Sequence, residues 1–382
     1  MILTDLPPGF HDDPFPHYAA LRRAGAIRQP DGSILLGRHA DLAAIYRDTQ
    51  TFRSDKREVF GPKFGDGPLY DHHTTSLVFN DPPLHGRVRR VLTGALTPRA
   101  LDRLRPGLER LVDSLLDRLG GEADLIAMFA AAIPVEVIGD LLAVPRSERG
   151  PLRDWSLAIL GALEPSLTQA QLDKGNAAVR DFLAYLRDLV ARRRAQPGDP
   201  ETDVLTRLIA GGDLSEAELL HNCIFILNAG HETTTNLIGN ALWLLDRHPD
   251  QRDHAAAAAI IEETLRMESP NQLGNRQTTR AVDLAGVTVP PGTDLHLCIG
   301  AANRDAEMFD APEDFRLDRG TPRHLAFAAG PHTCVGLTLA RMEGTLAVSR
   351  FLRRYPTYRI TGLARAARVR FRGFSRLDAA LG

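Results

Sequence analysis

Apolar residues recur at helical spacing over most of the chain from Leu84 to about Leu245, and prolines punctuate the pattern. The strongest segment follows Ser215, where Ser-Glu-Ala-Glu places a hydroxyl and a carboxylate three residues apart, as in a capping box. Helical spacing continues to about Arg247 and stops before His248-Pro249. At a rise of ~1.5 Å per residue this helix is ~50 Å long, so it must cross a whole domain.

Shorter elements surround the helical region. Residues 26–37 predict a hairpin with its turn at Asp31-Gly32. Residues 54–80 are rich in Gly, Pro, Asp and His with little periodicity, which predicts a long loop. Further predicted elements are helices at about 251–267 and 335–354 and short strands at 282–289 and 294–299. There is no internal repeat or linker-like stretch, so residues 1–382 are expected to form one helix-rich domain with small sheets.

Composition places the chain among ordinary soluble proteins. The formal net charge is −2 and 25% of residues are charged, which indicates neither a nucleic-acid binder nor a disordered chain. The first thirty residues lack a basic-then-apolar signal segment, and no apolar run reaches ~18 residues. Three cysteines are too few for a disulfide framework and fit a reducing compartment. We therefore expect a cytoplasmic protein without a membrane or nucleic-acid partner.

The segment from Phe327 to Gly336 contains the most informative chemistry. Cys334 stands between Gly330 and Gly336 and directly precedes an apolar helical segment. Glycines let the backbone approach a flat group closely, and a helix N-terminus favours an anion such as a thiolate. The alternative is a buried structural cysteine, since free cysteines are among the most buried residues.

A second unusual run, Asn228 to Thr235, lies in the middle of the predicted long helix. Its glycine and threonines are poor helix formers, and a sequence that accepts them there often does so for function. Gly230 leaves room for a planar ligand, and Glu232 stands beside Thr233. The alternative is a solvated glutamate with threonines that merely pack. Asn228, Glu232, Asn236 and Asn240 form a polar stripe that fits either a water channel or a hydrogen-bonded helix face.

The spacing Phe327-x-x-Gly330-x-His332-x-Cys334-x-Gly336 closely resembles the haem-binding loop of the cytochrome P450 family, in which a Cys thiolate holds the haem. One departure is Ala328, where the family usually has glycine. If that position requires a positive φ, alanine costs about 1–2 kcal/mol there. The resemblance runs from an Asp-Pro-Phe-Pro opening at residues 13–16 through Ala-Asn-Arg-Asp at 302–305 to the tail.

The resemblance implies a mainly α fold with small β-sheets, a cytochrome P450-like single domain with haem b between the long helix and the helix after the Cys loop. Cys334 would be the iron ligand. Thr233 and Glu232 would be the acid–alcohol pair that relays protons during O2 activation. The other residues expected at the cofactor are His85, Arg89, Arg276, His332, Ala229, Phe327 and Gly336, with the cationic side chains clamping the haem propionates.

A third element of the resemblance is the Glu263-x-x-Arg266 pair, with Arg319 as its third member. Acid and base three residues apart share a helical face and can pair. Such a pair is a weak signal alone, because it is common on surface helices. In this company it indicates a buried ionic network that fixes structure and does not touch substrate.

The implied activity is that of a haem-thiolate monooxygenase, which inserts one oxygen atom from O2 into a small, mainly apolar organic substrate. Electrons would come from NAD(P)H through a separate ferredoxin and ferredoxin reductase, with Arg87 and Arg90 as docking candidates. One alternative is an oxidase that couples or rearranges its substrate without inserting oxygen. A peroxide-driven peroxygenase, or a haem sensor or electron carrier, would not need Glu232 and Thr233.

By the same resemblance, the substrate pocket is expected between residues 60–80, helices around 155–185, the long helix, the loop at 271–275 and the tail. The side chains expected to line it are Val78, Phe225, Asn228, Gln272, Leu273 and Phe374. These are apolar and amide groups, which suit a mainly apolar molecule with one polar handle.

Overall fold

The computed structural model describes residues 1–200, 203–320 and 322–382. Its α-helices are α1 (Phe15–Ala24), α2 (His39–Arg47), α3 (Arg57–Phe64), α4 (Pro68–Thr75), α5 (Leu84–Ala95), α6 (Pro98–Leu116), α7 (Ala132–Leu141), α8 (Leu152–Gly161), α9 (Gln169–Ala195), α10 (Val204–Gly211), α11 (Glu216–Arg247), α12 (Ala257–Met267), α13 (Ile299–Ala302) and α14 (Leu337–Arg354). In the described parts of the chain, no helix has both the length and the apolar character that a membrane span requires.

The strands are short and assemble into small sheets. They are β1 (Ala26–Arg28), β2 (Ile34–Leu36), β3 (Phe52–Arg53), β4 (Glu122–Asp124), β5 (Leu273–Thr278), β6 (Val282–Leu284), β7 (Val287–Val289), β8 (Asp294–Cys298), β9 (Arg359–Arg365) and β10 (Phe374–Ala380). One sheet has the order β1-β2-β8-β5-β3, another has the order β4-β10-β9, and β6 pairs with β7. The β1–β2 hairpin and the helix near 335–354 are confirmed.

The long helix predicted from the sequence is α11. Its capping box is present: Glu218 N–H donates to Ser215 Oγ at 3.3 Å, and Ser215 N–H donates to Glu218 Oε2 at 2.9 Å. Most of its side chains are buried, and it packs against α7, α8, α9, α12 and α14. Since helices surround it, α11 is the central element of the fold.

The loop predicted for residues 54–80 is wrong, because this segment forms α3, α4 and a 3₁₀ turn at Leu77–Phe79. Its low local helix propensity is overcome by tertiary packing, since Phe60, Phe64 and Leu69 are buried in the main core. The strand predicted at 282–289 is instead the β6–β7 hairpin, whose turn has positive φ at Ala285 and at Gly286.

The loop before α14 has a constrained backbone. Gly330 has φ +70°, and a Cβ added there would lie 2.5 Å from the Tyr46 carbonyl oxygen, so only glycine fits against α2. Ala328 has φ +56°, which is the strained conformation considered for this position from the sequence. Cys334 N–H donates to the Phe327 carbonyl oxygen at 2.9 Å, which closes the loop on itself.

Replacing Ala328 by glycine is expected to raise the free energy of unfolding by up to about 1 kcal/mol, because it removes left-handed strain that exceeds the entropic cost of glycine. Chemical denaturation of the native protein and the variant measures the change. The matched control is Ala329→Gly, since Ala329 is extended (φ −148°) and glycine there is expected to destabilise. Equal destabilisation by both changes would contradict the strain at Ala328.

Candidate active site

Ala229 and Cys334 are both exposed in the structure. Ala229 lies in the middle of α11 with half-buried Phe225 and Thr233 one turn away on the same face, and Cys334 lies in the loop before α14. Burial by the surrounding protein nevertheless raises the pKa of the Cys334 thiol. A thiol that is accessible and yet desolvated by the surrounding protein is placed to contact a bound molecule.

Cationic and imidazole side chains gather near Cys334. The rings of His85 and His332 lie 3.9 Å apart between centroids. His332 Nε2 is 3.1 Å from Ser54 Oγ. Burial, reinforced by the charges of His332 and Arg89, lowers the pKa of His85 to about 4. Burial has the largest effect on the pKa of the Cys334 thiol and raises it, whereas the charge of Arg89 acts in the opposite direction.

Arg276 completes this group from β5. The side chain is buried, its guanidinium carbon is 5.0 Å from the centre of the Tyr46 ring, and Nη1 donates to the Asn275 carbonyl oxygen at 2.7 Å. Burial lowers the pKa of Arg276. The alternation of β5 explains the arrangement, because Gly274 and Arg276 face Tyr46 while Leu273 faces the other way.

These side chains fit a haem. Among the described residues, His85 Nε2 and Arg276 Nε and Nη2 are buried without hydrogen-bond partners. An unsatisfied buried donor costs about 1–3 kcal/mol, and more when it is charged. Donors of this kind suit two carboxylates, and a thiolate suits a soft or borderline metal centre. The haem propionates and iron would supply these partners.

Phe225, Ala229 and Thr233 form the accessible face of α11, and Glu232 directly precedes Thr233 in the helix. Thr233 Oγ1 donates to the Ala229 carbonyl oxygen, one helical turn back, at 2.8 Å. Glu232 is buried, and its Oε1 lies 3.1 Å from Arg368 Nη1. Burial raises the pKa of Glu232 to about 7; Arg368 opposes the rise and Glu164 adds to it. This carboxyl group can therefore hold or release a proton near neutral pH.

The structure brings Glu263, Arg266 and Arg319 together in a buried network. Glu263 Oε1 accepts from Arg266 Nη2 at 2.7 Å and from Arg319 Nε at 2.9 Å. Arg266 Nη1 also donates to the carbonyl oxygens of Asn303 and Pro312. The network therefore ties α12 to the irregular segment that leads to the Cys loop.

The residues expected to line a substrate pocket lie in different parts of the structure. Phe225 and Asn228 lie on α11, and Asn228 Nδ2 is 3.4 Å from His72 Nε2. Val78 is exposed. Phe374 packs against Trp243 in the C-terminal half of α11, beyond Thr233.

Gln272 and Leu273 do not reach the accessible face of α11. Gln272 Nε2 donates to the Ser269 carbonyl oxygen at 2.6 Å, and its amide oxygen lies against Gly300. Leu273 packs in the N-terminal cluster with Tyr18. The two expected pocket residues are displaced because the chain turns into β5 here, with side chains alternating between the faces of the sheet.

The polar stripe of α11 divides into two environments. Asn240 Nδ2 donates to the carbonyl oxygens of Glu268 at 3.0 Å and Arg372 at 2.9 Å, so this end is a hydrogen-bonded face of the helix. Glu232 instead contacts Arg368.

No sequence motif marked Arg368, Glu164 or Ser54, because each reaches the site through tertiary contacts from an irregular segment.

Comparison with known proteins agrees with this geometry. A family model described as Cytochrome P450 matches residues 255–358. Cytochrome P450 107B1 of Saccharopolyspora erythraea is 39% identical over 327 residues, covering 83% of this chain and 77% of that protein. Vitamin D(3) 25-hydroxylase of Pseudonocardia autotrophica is 35% identical over 358 residues, covering 89% of this chain and 86% of that protein. This chain belongs to the cytochrome P450 family.

Solved structures give the same assignment. The structure of P450BioI in complex with hexadec-9Z-enoic acid ligated acyl carrier protein matches with a TM-score of 0.92 at 29% identity, covering 98% of this chain and 100% of that chain. CYP164A2 of Mycobacterium smegmatis with econazole bound matches with a TM-score of 0.89 at 33% identity, covering 98% of each chain. The protein is thus a cytochrome P450 monooxygenase, an oxidoreductase with the mainly α P450 fold, and haem b is its cofactor.

Replacing Glu263 by glutamine is expected to lower the free energy of unfolding by about 3–5 kcal/mol, because Arg266 and Arg319 would lose their buried counter-charge. Denaturant unfolding of the ferric protein measures this change in the free energy of unfolding. Asp318→Asn is the matched control, since it removes a carboxylate from the exposed pair with Arg316 and should change little. Similar losses in both variants would contradict a structural role specific to the Glu263 network.

Proposed function

We propose that this P450 inserts one oxygen atom from O2 into a small, mainly apolar organic substrate, using electrons from a separate redox partner. The observation that carries the proposal is the accessible but desolvated Cys334 thiol, together with the buried nitrogen atoms of His85 and Arg276 that have no partner among the described residues. A purely structural cysteine would need neither feature.

The positions of the site residues indicate which of them would hold the haem. Cys334 Sγ would bind the iron, and His85, Arg89, Arg276 and His332 would hold the propionates. Ala229 would border the haem from α11, and Phe327 and Gly336 would frame it from the Cys loop. When bound, haem supplies the redox and oxygen chemistry, and a thiolate ligand favours O–O cleavage.

The chain itself would position protons and exclude water. Glu232 has a pKa raised to about 7, which suits a group that takes up and gives up protons near neutral pH. Thr233 presents a hydroxyl on the same side of α11 as Ala229. We assign to this pair the transfer of protons to the proposed haem site, where the buried surroundings would limit bulk water.

The chemistry of the α11 face supports a mainly apolar substrate with a polar handle. Phe225 supplies aromatic surface, and Asn228 Oδ1 is buried without a partner among the described residues. Relatives are named for vitamin D(3) and for 6-deoxyerythronolide B, which accords with this class. We therefore assign substrate binding to this face, with Val78 and Phe374 at its periphery and without Gln272 and Leu273.

Electrons are proposed to come from NAD(P)H through a ferredoxin and its reductase, in the cytoplasm. Arg90 on α5 is exposed, whereas Arg87 is paired with Glu218. Arg90 is therefore the stronger candidate of the two for contact with an acidic partner.

The reaction class is tested with a compound selected from a library by its low-to-high-spin Soret shift. With a surrogate ferredoxin, its reductase and isotopically labelled O2, we expect one labelled oxygen atom in the product. An unlabelled, coupled or rearranged product would contradict oxygen insertion and indicate the oxidase alternative. Turnover with peroxide but not with reductase and O2 would indicate the peroxygenase.

The relay pair is tested by Glu232→Gln and Thr233→Val under the same conditions. We expect product formation to fall by about 10²-fold while consumed electrons appear as hydrogen peroxide. Thr235→Val is the matched control, because the Thr235 hydroxyl donates to the His231 carbonyl oxygen on a buried face of α11. A Thr235 variant as uncoupled as the Thr233 variant would contradict the assignment.

A further inference from the structure

Arg368 lies between two carboxylates that come from separate parts of the fold. Its Nε donates to Glu164 Oε1 at 3.1 Å, and its Nη1 lies 3.1 Å from Glu232 Oε1. Arg368 belongs to the connection between β9 and β10, Glu164 follows α8, and Glu232 lies within α11. One guanidinium therefore links the tail, the α8–α9 connection and the central helix.

The position of Arg368 is fixed by contacts beyond the two carboxylates. Glu164 Oε2 accepts from the backbone N–H of Val369 at 2.9 Å and of Arg370 at 3.3 Å, which holds the tail connection in place. The guanidinium carbon of Arg368 is 4.9 Å from the centre of the Phe371 ring, and the side chain is only 15% exposed. This arginine is thus part of a built site and not a free surface charge.

The two oxygens of Glu232 differ as a result. Oε1 faces Arg368, while Oε2 is buried and has no hydrogen-bond partner among the described residues. The charged groups that act on Glu232 are Arg368 and, more weakly, Glu164. Arg368 therefore contacts one oxygen of the carboxylate, and the other oxygen is unpaired among the described residues.

We propose that Arg368 is a positioning residue for the proton relay, which it holds through Oε1 of Glu232 so that Oε2 alone exchanges protons, while Glu164 competes for the same guanidinium. The relay role of Glu232 rests on the proposed function. The ionic arrangement itself is a property of the folded chain and is measurable without turnover.

The arrangement makes two substitutions act in opposite directions. Arg368→Gln removes the counter-charge of a buried carboxylate, so the pKa of Glu232 should rise further above about 7. Glu164→Gln removes both a like charge and a competitor for Arg368, so the pKa of Glu232 should fall. A role that was merely structural would not produce shifts of opposite sign.

The test is an infrared pH titration of ferric holoenzyme that contains isotope-labelled glutamate, with the Glu232→Gln spectrum subtracted to isolate this carboxyl group. We expect the midpoint of Arg368→Gln to lie higher than native by about 1 pH unit or more. The Glu164→Gln midpoint should lie lower than native, and Arg368→Lys should restore most of the native midpoint because it keeps the charge.

Arg376→Gln is the matched control, because it removes an exposed arginine of the tail that pairs with Asp378, and its Glu232 midpoint should be native. A native midpoint in Arg368→Gln, or shifts of the same sign in the Arg368 and Glu164 variants, would overturn the inference. A fully coupled Glu232→Gln enzyme would instead refute the relay role, and the titration would still report whether Arg368 controls this carboxyl group.

Discussion

The proposed site depends on the backbone presenting one sulfur atom, that of Cys334, as an accessible group within the fold. Three local constraints combine to do so: the left-handed residues Ala328 and Gly330, the hydrogen bond from Cys334 N–H to Phe327, and the start of α14 at Leu337. Burial raises the pKa of the thiol, which disfavours the anion unless something stabilises it. Nearby positive charge and metal coordination both stabilise a thiolate, which supports assigning the cationic side chains and the sulfur to one site.

The buried glutamates show how the number of arginine partners sets charge in this interior. Burial raises the pKa of Glu268, but Arg372, Arg365 and Arg304 outweigh it, and the net pKa is lowered. Glu232 has one arginine partner, Arg368, which also pairs with Glu164, and burial raises the pKa of Glu232 to about 7. Glu343 has no ionic partner among the described residues, and burial raises its pKa to about 8. Glu232, the group proposed to move protons, has fewer arginine partners than Glu268 and more than Glu343. Both of its charge states are therefore accessible near neutral pH.

Features encoded by local spacing could be predicted from the sequence. The Ser215 capping box, the Cys334 loop and the Glu263–Arg266 pair each lie within a few consecutive residues, and the structure brings their members together as expected. Helices α3 and α4 could not be predicted, because their stability comes from burying Phe60 and Leu69 and not from local propensity. Arg368 was missed for a related reason: its partners lie more than a hundred residues away in sequence.

We propose that the sulfur of Cys334 binds the haem iron. X-ray absorption at the iron edge of the ferric protein tests it most directly, because it reports which atoms lie in the first coordination shell. We expect one sulfur neighbour in the native protein and none in Cys334→Ser, whereas Cys298→Ser, which changes a buried cysteine in β8, should keep it. A native first shell of nitrogen and oxygen alone, or a sulfur neighbour that persists in Cys334→Ser, would contradict it.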